Sequence, residues 1–390
     1  MLRDWSISAW MTGFLAVLIS YSGPLVIFIQ AAHAGGMSDE MLSSWIWAIS
    51  IGAGFSGIAL SIVLKTPIIT AWSAPGTALL LHLFPDITMP EVVGAYLTAA
   101  IITSVIAFSG YFERIVRYVP QGIAAAMIAG ILFQFGAQAF VVSSELPVVV
   151  MSMVAVYLLS RRFIPTLTVV LVAITGFICV FLLDLSTVSD VKIALAKPIF
   201  TFPEFSFSAF FSFTLPLVVV SLTGQFLPGL VILRLDGYPE NARAIVGGTS
   251  LISIVMAFFG GISTVLAAIT ASLCTGKDCH PDPKKRYVAG VANGVFYIIG
   301  GTFAGTIVLL FNAIPSAVIA ALAGLALIGA IVANIRLLSA NASYIEPAVI
   351  TFLVTASNMT MGGMGSAFWG IVLGMLAYWI SGIKKTDAKA

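Results

Sequence analysis

Read from charge to charge, the chain is a succession of apolar runs separated by short polar intervals. A helix needs about 20 apolar residues to cross the roughly 30 Å hydrocarbon core of a bilayer. The runs predict fourteen spans, at approximately 9–31, 43–63, 67–84, 92–111, 120–140, 146–160, 163–184, 209–232, 242–262, 264–276, 288–311, 315–334, 345–358 and 365–382. The charges test that count, because Lys and Arg in short loops are retained on the cytoplasmic side. With the N-terminus inside, Arg3, Lys65, Arg114, Arg117, Arg161, Arg162, Arg234, Arg243, Lys277, Lys284, Lys285, Arg286, Arg336, Lys384, Lys385 and Lys389 all fall in the cytoplasm. Of the 18 basic residues only Lys192 and Lys197 fall outside, in the longest external loop, where the rule weakens. One span more or fewer would scramble this partition. The expectation is therefore an all-α, multi-pass membrane protein with both termini cytoplasmic.

Composition agrees with this class and excludes others. The 390 residues are 60% hydrophobic and 9% charged, with a mean hydropathy of +1.09, far from the quarter-charged make-up of a soluble domain. A net charge of +2 gives no hint of nucleic acid. Three cysteines, Cys179, Cys274 and Cys279, are too few for a disulfide framework. The first apolar run carries no small-residue cleavage site and reads as a retained span rather than a signal peptide.

The chain also repeats itself. PIITAWSAPG (67–76) resembles AAITASLCTG (267–276) at an offset of 200, and PQGIAAAM (120–127) resembles PSAVIAAL (315–322) at an offset of 195. Pro147 and Pro347 open a third match, again 200 apart. Seven spans per copy is an odd number, so the second copy must enter from the opposite side, as in secondary transporters. The expected layout is 1–185 for the first repeat, 186–206 for an external linker and 207–390 for the inverted second repeat.

Span 3 breaks at Ser73-Ala74-Pro75-Gly76-Thr77, and helices break inside a membrane only where protein or a water-filled cavity satisfies the freed backbone. Span 10 is too short to be a plain helix. Only 33 uncharged residues, 244 to 276, must cross out and back, where two regular crossings want about 40. If span 10 begins extended, at about 3.3 Å per residue, and ends helical, at about 1.5 Å, its length suffices. The same design suits span 3, with Ser73 as helix cap and Pro75 in the first turn; Thr270 is the analogous cap in span 10. Both half-helices are expected to start near the midplane and aim their positive N-termini at one space, an anion seat that needs no basic side chain.

Other residues join this candidate site. Gln225 is the one large amide of span 8, and its repeat partner in span 1 lies near Tyr21 and Ser22, beside Gly23-Pro24. Trp72, next to the break, can stack on a flat substrate or serve as packing. The substrate-binding set is thus Tyr21, Ser22, Trp72, Ser73, Ala74, Pro75, Gly76, Thr77, Gln225, Ile269, Thr270 and Ala271. All 16 carboxylates lie in loops or at span ends; Glu346 and Glu145 are the least solvated of them, and Glu346 and His82 are the candidates for carrying a proton. GFSG (54–57) copies an intramembrane serine protease motif without a matching histidine, and Gly52, Gly54 and Gly57 read better as a close-packing face. CTGKDC (274–279) lacks the first glycine of a P-loop. Cys274, Cys279 and His280 lack the spacing and fourth ligand of a zinc site. No cofactor or metal is expected.

At AWSAPGTALL (71–80), AAAMIAGIL (124–132), LTGQFLPGLVILRLDGY (222–238), AAITASLCTGKDCHPDPKKRY (267–287) and GSAFWG (365–370) the chain resembles the benzoate:proton symporter (BenE) family of bacterial inner membranes. The resemblance covers nearly the whole chain. It implies import of benzoate, or a similar small aromatic carboxylate, with a proton. It also implies the nucleobase transporter and anion exchanger fold, in which spans 1–4 and 8–11 form a core and spans 5–7 and 12–14 a gate, and whose members are often dimers through the gate. Nucleobase carriers of that fold place glutamates in spans 8 and 10, where this chain has Gln225 and no acid near Thr270. The alternatives are a carrier of another small anion or a nucleobase, and, further off, an intramembrane enzyme.

Overall fold

The structure, a computed structural model, describes residues 4–381 apart from 85–86, 117, 186–191, 240, 278, 342–343 and 363; the side chains of 82, 115, 116, 268 and 269 also fall outside that description. The described chain is mostly helical. In order it runs α1 (Ile7–Ser22), α2 (Pro24–Ala34), α3 (Asp39–Leu64), β1 (Thr70–Trp72), α4 (Ala74–Leu83), α5 (Met89–Ser109), α6 (Phe112–Val116), α7 (Gln121–Val141), α8 (Pro147–Phe163) and α9 (Thr168–Leu182). It continues with α10 (Phe207–Ala209), α11 (Leu215–Ser221), α12 (Leu227–Leu235), α13 (Ala242–Ala257), β2 (Thr264–Leu266), α14 (Ala268–Thr275), α15 (Tyr287–Thr302), α16 (Ala304–Asn312), α17 (Ser316–Leu338), α18 (Ile345–Ala356) and α19 (Ser366–Ile380). Two π-helical turns, Phe210–Thr214 and Leu222–Phe226, join α10, α11 and α12 into one 29-residue rod, Phe207–Leu235.

Each of the fourteen apolar stretches holds a helix, a broken helix or a strand with a helix. Among the described residues seven helices are long and apolar enough to cross a membrane alone, and an eighth forms if α15 and α16, bent by 65°, count together. The stretch 288–311 is therefore kinked at Phe303. Local chemistry explains several ends. Ser6 and Ser38 cap α1 and α3, while Thr88 and Glu91 form a reciprocal capping box on α5. α1 stops at Gly23 because Pro24 has no N–H to continue the ladder.

Packing brings distant segments together. α3 lies against α15 and α13, α5 against α13, and α1 against α15. α7 lies against α17 and α18, α8 against α9, and α18 against α19. Glycines set the closest approach: a Cβ on Gly54 would lie 2.8 Å from the Gly294 carbonyl oxygen, and one on Gly57 would lie 2.8 Å from Thr70 Oγ1. The small-residue face expected at 52–57 is thus a helix contact. Gly294→Val should destabilise the protein by about 1–3 kcal/mol through overpacking. A thermal melt of the detergent-solubilised protein that matched wild type would contradict the close approach.

The two ends of the molecule are stitched differently. At one end the Tyr287 hydroxyl donates to Asp4 Oδ2 (3.0 Å), the Ser8 hydroxyl to the Cys279 carbonyl (2.7 Å) and the Tyr238 hydroxyl to the Pro283 carbonyl (3.2 Å). At the other end the chain from 192 to 206 crosses the helix ends: Ala196 N–H donates to Thr302 O, Ile199 N–H to Ser44 Oγ, Thr201 N–H to Phe258 O and Glu204 N–H to Pro90 O.

Candidate functional site

The breaks at 70–77 and 264–270 meet. β1 and β2 form a two-stranded antiparallel ladder with Thr70 opposite Leu266, Ala71 opposite Val265 and Trp72 opposite Thr264. Ser73 N–H donates to Ser263 O and Ala267 N–H to Ile69 O, both at 3.0 Å, so the ladder extends to the first residue of each turn. This is how two extended pieces satisfy their backbone groups away from water. α4 and α14 then leave from opposite ends of the ladder. Four residue steps separate Ile69 from Ser73, roughly 13 Å at 3.3 Å each. The two helix starts flank the ladder, and a carboxylate touching one feels the other through its dipole rather than by contact.

The caps differ from each other and, in part, from expectation. Ser73 accepts from Gly76 N–H (3.2 Å), and Pro75 occupies the first turn. Thr77 turns its hydroxyl back to the Ser73 carbonyl (2.9 Å). In α14 the cap position is Ala267, with no side-chain cap, and Thr270 stands inside the first turn with its hydroxyl on the Ala267 carbonyl (3.3 Å). Thr270 as cap is therefore corrected: the cap position stands three residues earlier, at Ala267, and Thr270, inside the first turn, back-bonds instead. Ala271 is buried, with its N–H on the Ala267 carbonyl. The Ile269 side chain lies outside the described residues.

Around the α4 start sits an aromatic triangle. The rings of Tyr21, Trp72 and Tyr297 have centroids 5.7 to 5.9 Å apart, and Tyr21 hydrogen-bonds Ser50 (2.7 Å). Trp72 is 2% exposed and packed on both tyrosines, and its buried Nε1 has no hydrogen-bond partner among the described residues. Ser22 spends its hydroxyl on the Leu18 carbonyl. Ala74 and Pro75 are half-buried, and Gly76 is buried; a Cβ there would run into Leu217 Cδ1 and lie 2.9 Å from Ser73 Oγ.

The rod Phe207–Leu235 passes both helix starts. Leu217 packs at Gly76, and a Cβ on Gly229 would lie 2.6 Å from Leu266 Cβ, one residue before the α14 cap. Ser221 and Gln225 lie between these contacts at four-residue steps, hence on one face. Ser221 Oγ and Gln225 Oε1 are both buried and have no hydrogen-bond partner among the described residues. A helical serine ordinarily bonds its own i−4 carbonyl, as Ser20 and Thr223 do here. Sequence reasoning found Gln225 but missed Ser221 and Tyr297; serines are frequent in these helices, and nothing local marks the unpartnered one.

A cavity of about 400 Å³ lies elsewhere, between α2, α4, α7 and the start of α17. Of the predicted site residues none lines it; the α4 residue that does is Leu81. The His82 side chain lies outside the described residues. Glu346 is exposed in the first turn of α18, and Glu145 is exposed too, so the expectation that these carboxylates are sheltered fails for both. The helix N-terminus provides the physical reason for Glu346 to sit where it does. Arg286, expected as a solvated loop charge, is buried and donates to Thr275 O (2.6 Å) and His280 O (2.7 Å). Among the described residues no three His, Cys, Asp or Glu side chains converge as a metal set.

Known proteins resemble this chain. A benzoate membrane transport protein of Acinetobacter baylyi is 53% identical over 378 residues, covering 97% of this chain and 96% of its own. The inner membrane protein YdcO of Escherichia coli K12 is 35% identical over 368 residues, 94% of each chain. The transmembrane domain of the cyanobacterial bicarbonate transporter BicA superposes with a TM-score of 0.57 at 13% identity, covering 97% of both chains. SLC26A9 superposes with a TM-score of 0.65 at 12% identity, covering 98% of this chain and 66% of its own. At such identities these two structures speak for the fold alone. The family described as benzoate membrane transport protein matches residues 3–380, and with the two relatives it places the chain among membrane transporters rather than enzymes: this protein belongs to the benzoate membrane transport protein family.

Proposed function

We propose that the protein is a secondary transporter that imports benzoate, or a similar small aromatic carboxylate, together with a proton across a bacterial inner membrane. The observation that carries this reading is the uncapped start of α14 beside buried polar atoms that lack partners: Gln225 Oε1, Ser221 Oγ and, across the ladder, Trp72 Nε1. A buried polar group left unpaired costs about 1–3 kcal/mol. A bound carboxylate would relieve several at once. Its oxygens would take the place of the missing cap at α14, in the field of two helix N-termini. Ser221 would donate to it, and Gln225, whose amide presents Nε2 when turned about its last bond, would donate as well. The ring would lie against aliphatic neighbours and the edge of the Tyr21, Trp72 and Tyr297 cluster. His82 and Glu346 remain the candidates for the proton.

Transport would proceed by movement of a core, segments 1–4 and 8–11, against a gate, segments 5–7 and 12–14. Packing supports an inverted seven-plus-seven repeat. The contact of α3 with α15 joins segments 2 and 11, and that of α5 with α13 joins 4 and 9, the same pair after a shift of seven. The contacts of α8 with α9 and α18 with α19 are related in the same way. Both termini would be cytoplasmic. The opposite stitching of the molecule's two ends supports this, since Lys65, at 4.3 Å over the Tyr287 ring, gathers with the basic 276–287 loop. Lipid surrounds the transporter, and a homodimer through the gate would fit the architecture.

A second reading, a carrier of another small anion on the same fold, is favoured by the α14 start itself, since a helix N-terminus recognises negative charge and not a ring. Labelled benzoate accumulation in vesicles under an imposed pH gradient, with benzoate, salicylate, uracil and sulfate as competitors, separates the two. We expect uphill accumulation abolished by a protonophore and competition by salicylate alone among the other three. Competition by sulfate with no benzoate accumulation would replace the first reading with the second.

A further inference from the structure

The 400 Å³ cavity between α2, α4, α7 and α17 carries polar side chains along a largely apolar wall. Gln30 and His33 face it from the last turns of α2, Gln138 from α7 and Glu145 from the short turn that follows α7. Among the described residues none of these four side chains has a hydrogen-bond partner. That differs from neighbouring Gln134, which donates to Ala356 O and accepts from Asn358. Gln30 and His33 are three residues apart, as are Phe135 and Gln138, so each helix turns one face to the cavity. Phe135 and Leu81 supply an apolar wall, and the small first-turn residues of α17, Ser316, Ala317 and Ala320, leave the room. Polar side chains on membrane helices ordinarily find helix partners or line a pathway. Here His33, Gln138 and Glu145 are exposed and Gln30 is half-buried, so the four side chains line an open, wetted cavity.

We infer that this cavity is an entrance site that holds a small aromatic monocarboxylate before it reaches the α14 start, with amide and imidazole N–H groups of Gln30, Gln138 and His33 as donors and Phe135 against the ring. The inference rests on the substrate class proposed above and adds a second station to it. Leu81 stands eight residues along α4 from Ser73, so the cavity lies about 12 Å from the α4 start at 1.5 Å per residue. The cavity opens at the end of the molecule where α4 ends and α17 begins, opposite the end where Asp4 and Ser8 meet the 276–287 region. In the proposed topology that is the outer face. The titratable groups at the cavity are His33 on α2 and Glu145 after α7; the α17 residues lining it carry none. Glu145 repels a dianion about twice as strongly as a monoanion, so the site discriminates against dicarboxylates.

The test is initial-rate uptake of labelled benzoate into cells expressing wild type, a Gln30→Leu/Gln138→Leu double variant, Ala320→Phe, which fills the cavity, and Glu145→Gln. Membrane content of each protein is measured alongside. The expected result is a KM raised about tenfold in the first two variants with Vmax within about twofold of wild type. Phthalate, a dianion, should compete in Glu145→Gln but not in wild type. Unchanged KM in both the double variant and Ala320→Phe overturns the entrance site while leaving the transport function standing. Loss of Vmax at normal KM does the same, since it assigns these residues to the moving parts. Wild type that takes up no benzoate overturns the proposed function and this site with it.

Discussion

Replacing Gly76 with valine is expected to cut benzoate uptake by about a hundredfold or more while the protein stays folded in the membrane. The position has no room for a side chain: the added Cβ meets Leu217 Cδ1, and Ser73 Oγ and Ile262 Cδ1 lie within 3.1 Å of it. Leu217 is flexible at its far end and can yield to a single methyl group, so Gly76→Ala should retain part of the activity. The two branches of valine push on Ser73 as well, and Ser73 both caps α4 and extends the ladder through Ser263. A shift there moves the α4 start and the ladder that sets its distance to α14. Uptake rate normalised to protein content is the measurement. Uptake within about threefold of wild type would remove the α4 start from the transport path.

The second large effect concerns Arg286. This side chain is 5% exposed, and its two donors hold the carbonyls of Thr275 and His280. Thr275 is the last residue of α14, so the guanidinium closes the C-terminal end of the helix whose start is the proposed anion seat. A cation there also meets the negative end of the helix dipole. Arg286→Met leaves two carbonyls unpaired and removes two charge-assisted bonds, for an expected loss of about 3 kcal/mol. Arg286→Lys keeps the charge but not the planar two-donor fork and should recover only part of it. Both should appear as a lower melting temperature of the purified protein and as weaker uptake. Wild-type stability in Arg286→Met would mean that the α14 end is held by the loop backbone alone.

How far the site was legible in the sequence differs from residue to residue. The break at Ser73 to Thr77 announces itself, because Pro75 and Gly76 disrupt a helix wherever they stand and Ser73 caps one by local geometry. The half-extended form of 264–276 followed from length alone, since a 13-residue stretch cannot cross as a helix. The start of α14 was misplaced by three residues, because a capping side chain at Thr270 was assumed by analogy with Ser73, whereas Ala267 holds the cap position and provides none. Gln225 stood out as a large amide in an apolar run. Ser221, of a common type, did not, although the structure leaves it equally unpartnered. Arg286 read as one more loop charge.

What the sequence determined by itself was therefore the set of properties that depend on a few neighbouring residues: which stretches are apolar, how long they are, where the backbone cannot stay helical, and the membership carried by motifs such as LTGQFLPGL and HPDPKKRY. Everything set by groups far apart in the chain depended on the fold: the register of Thr70 on Leu266, the spacing of the two helix starts, the burial of Arg286, the lack of a partner for Ser221 among the described residues and the cavity between α2, α7 and α17. The physical reason is that apolar length and helix breaking are costs each segment meets alone against lipid, whereas hydrogen-bond satisfaction and empty volume exist only after another segment has been placed alongside.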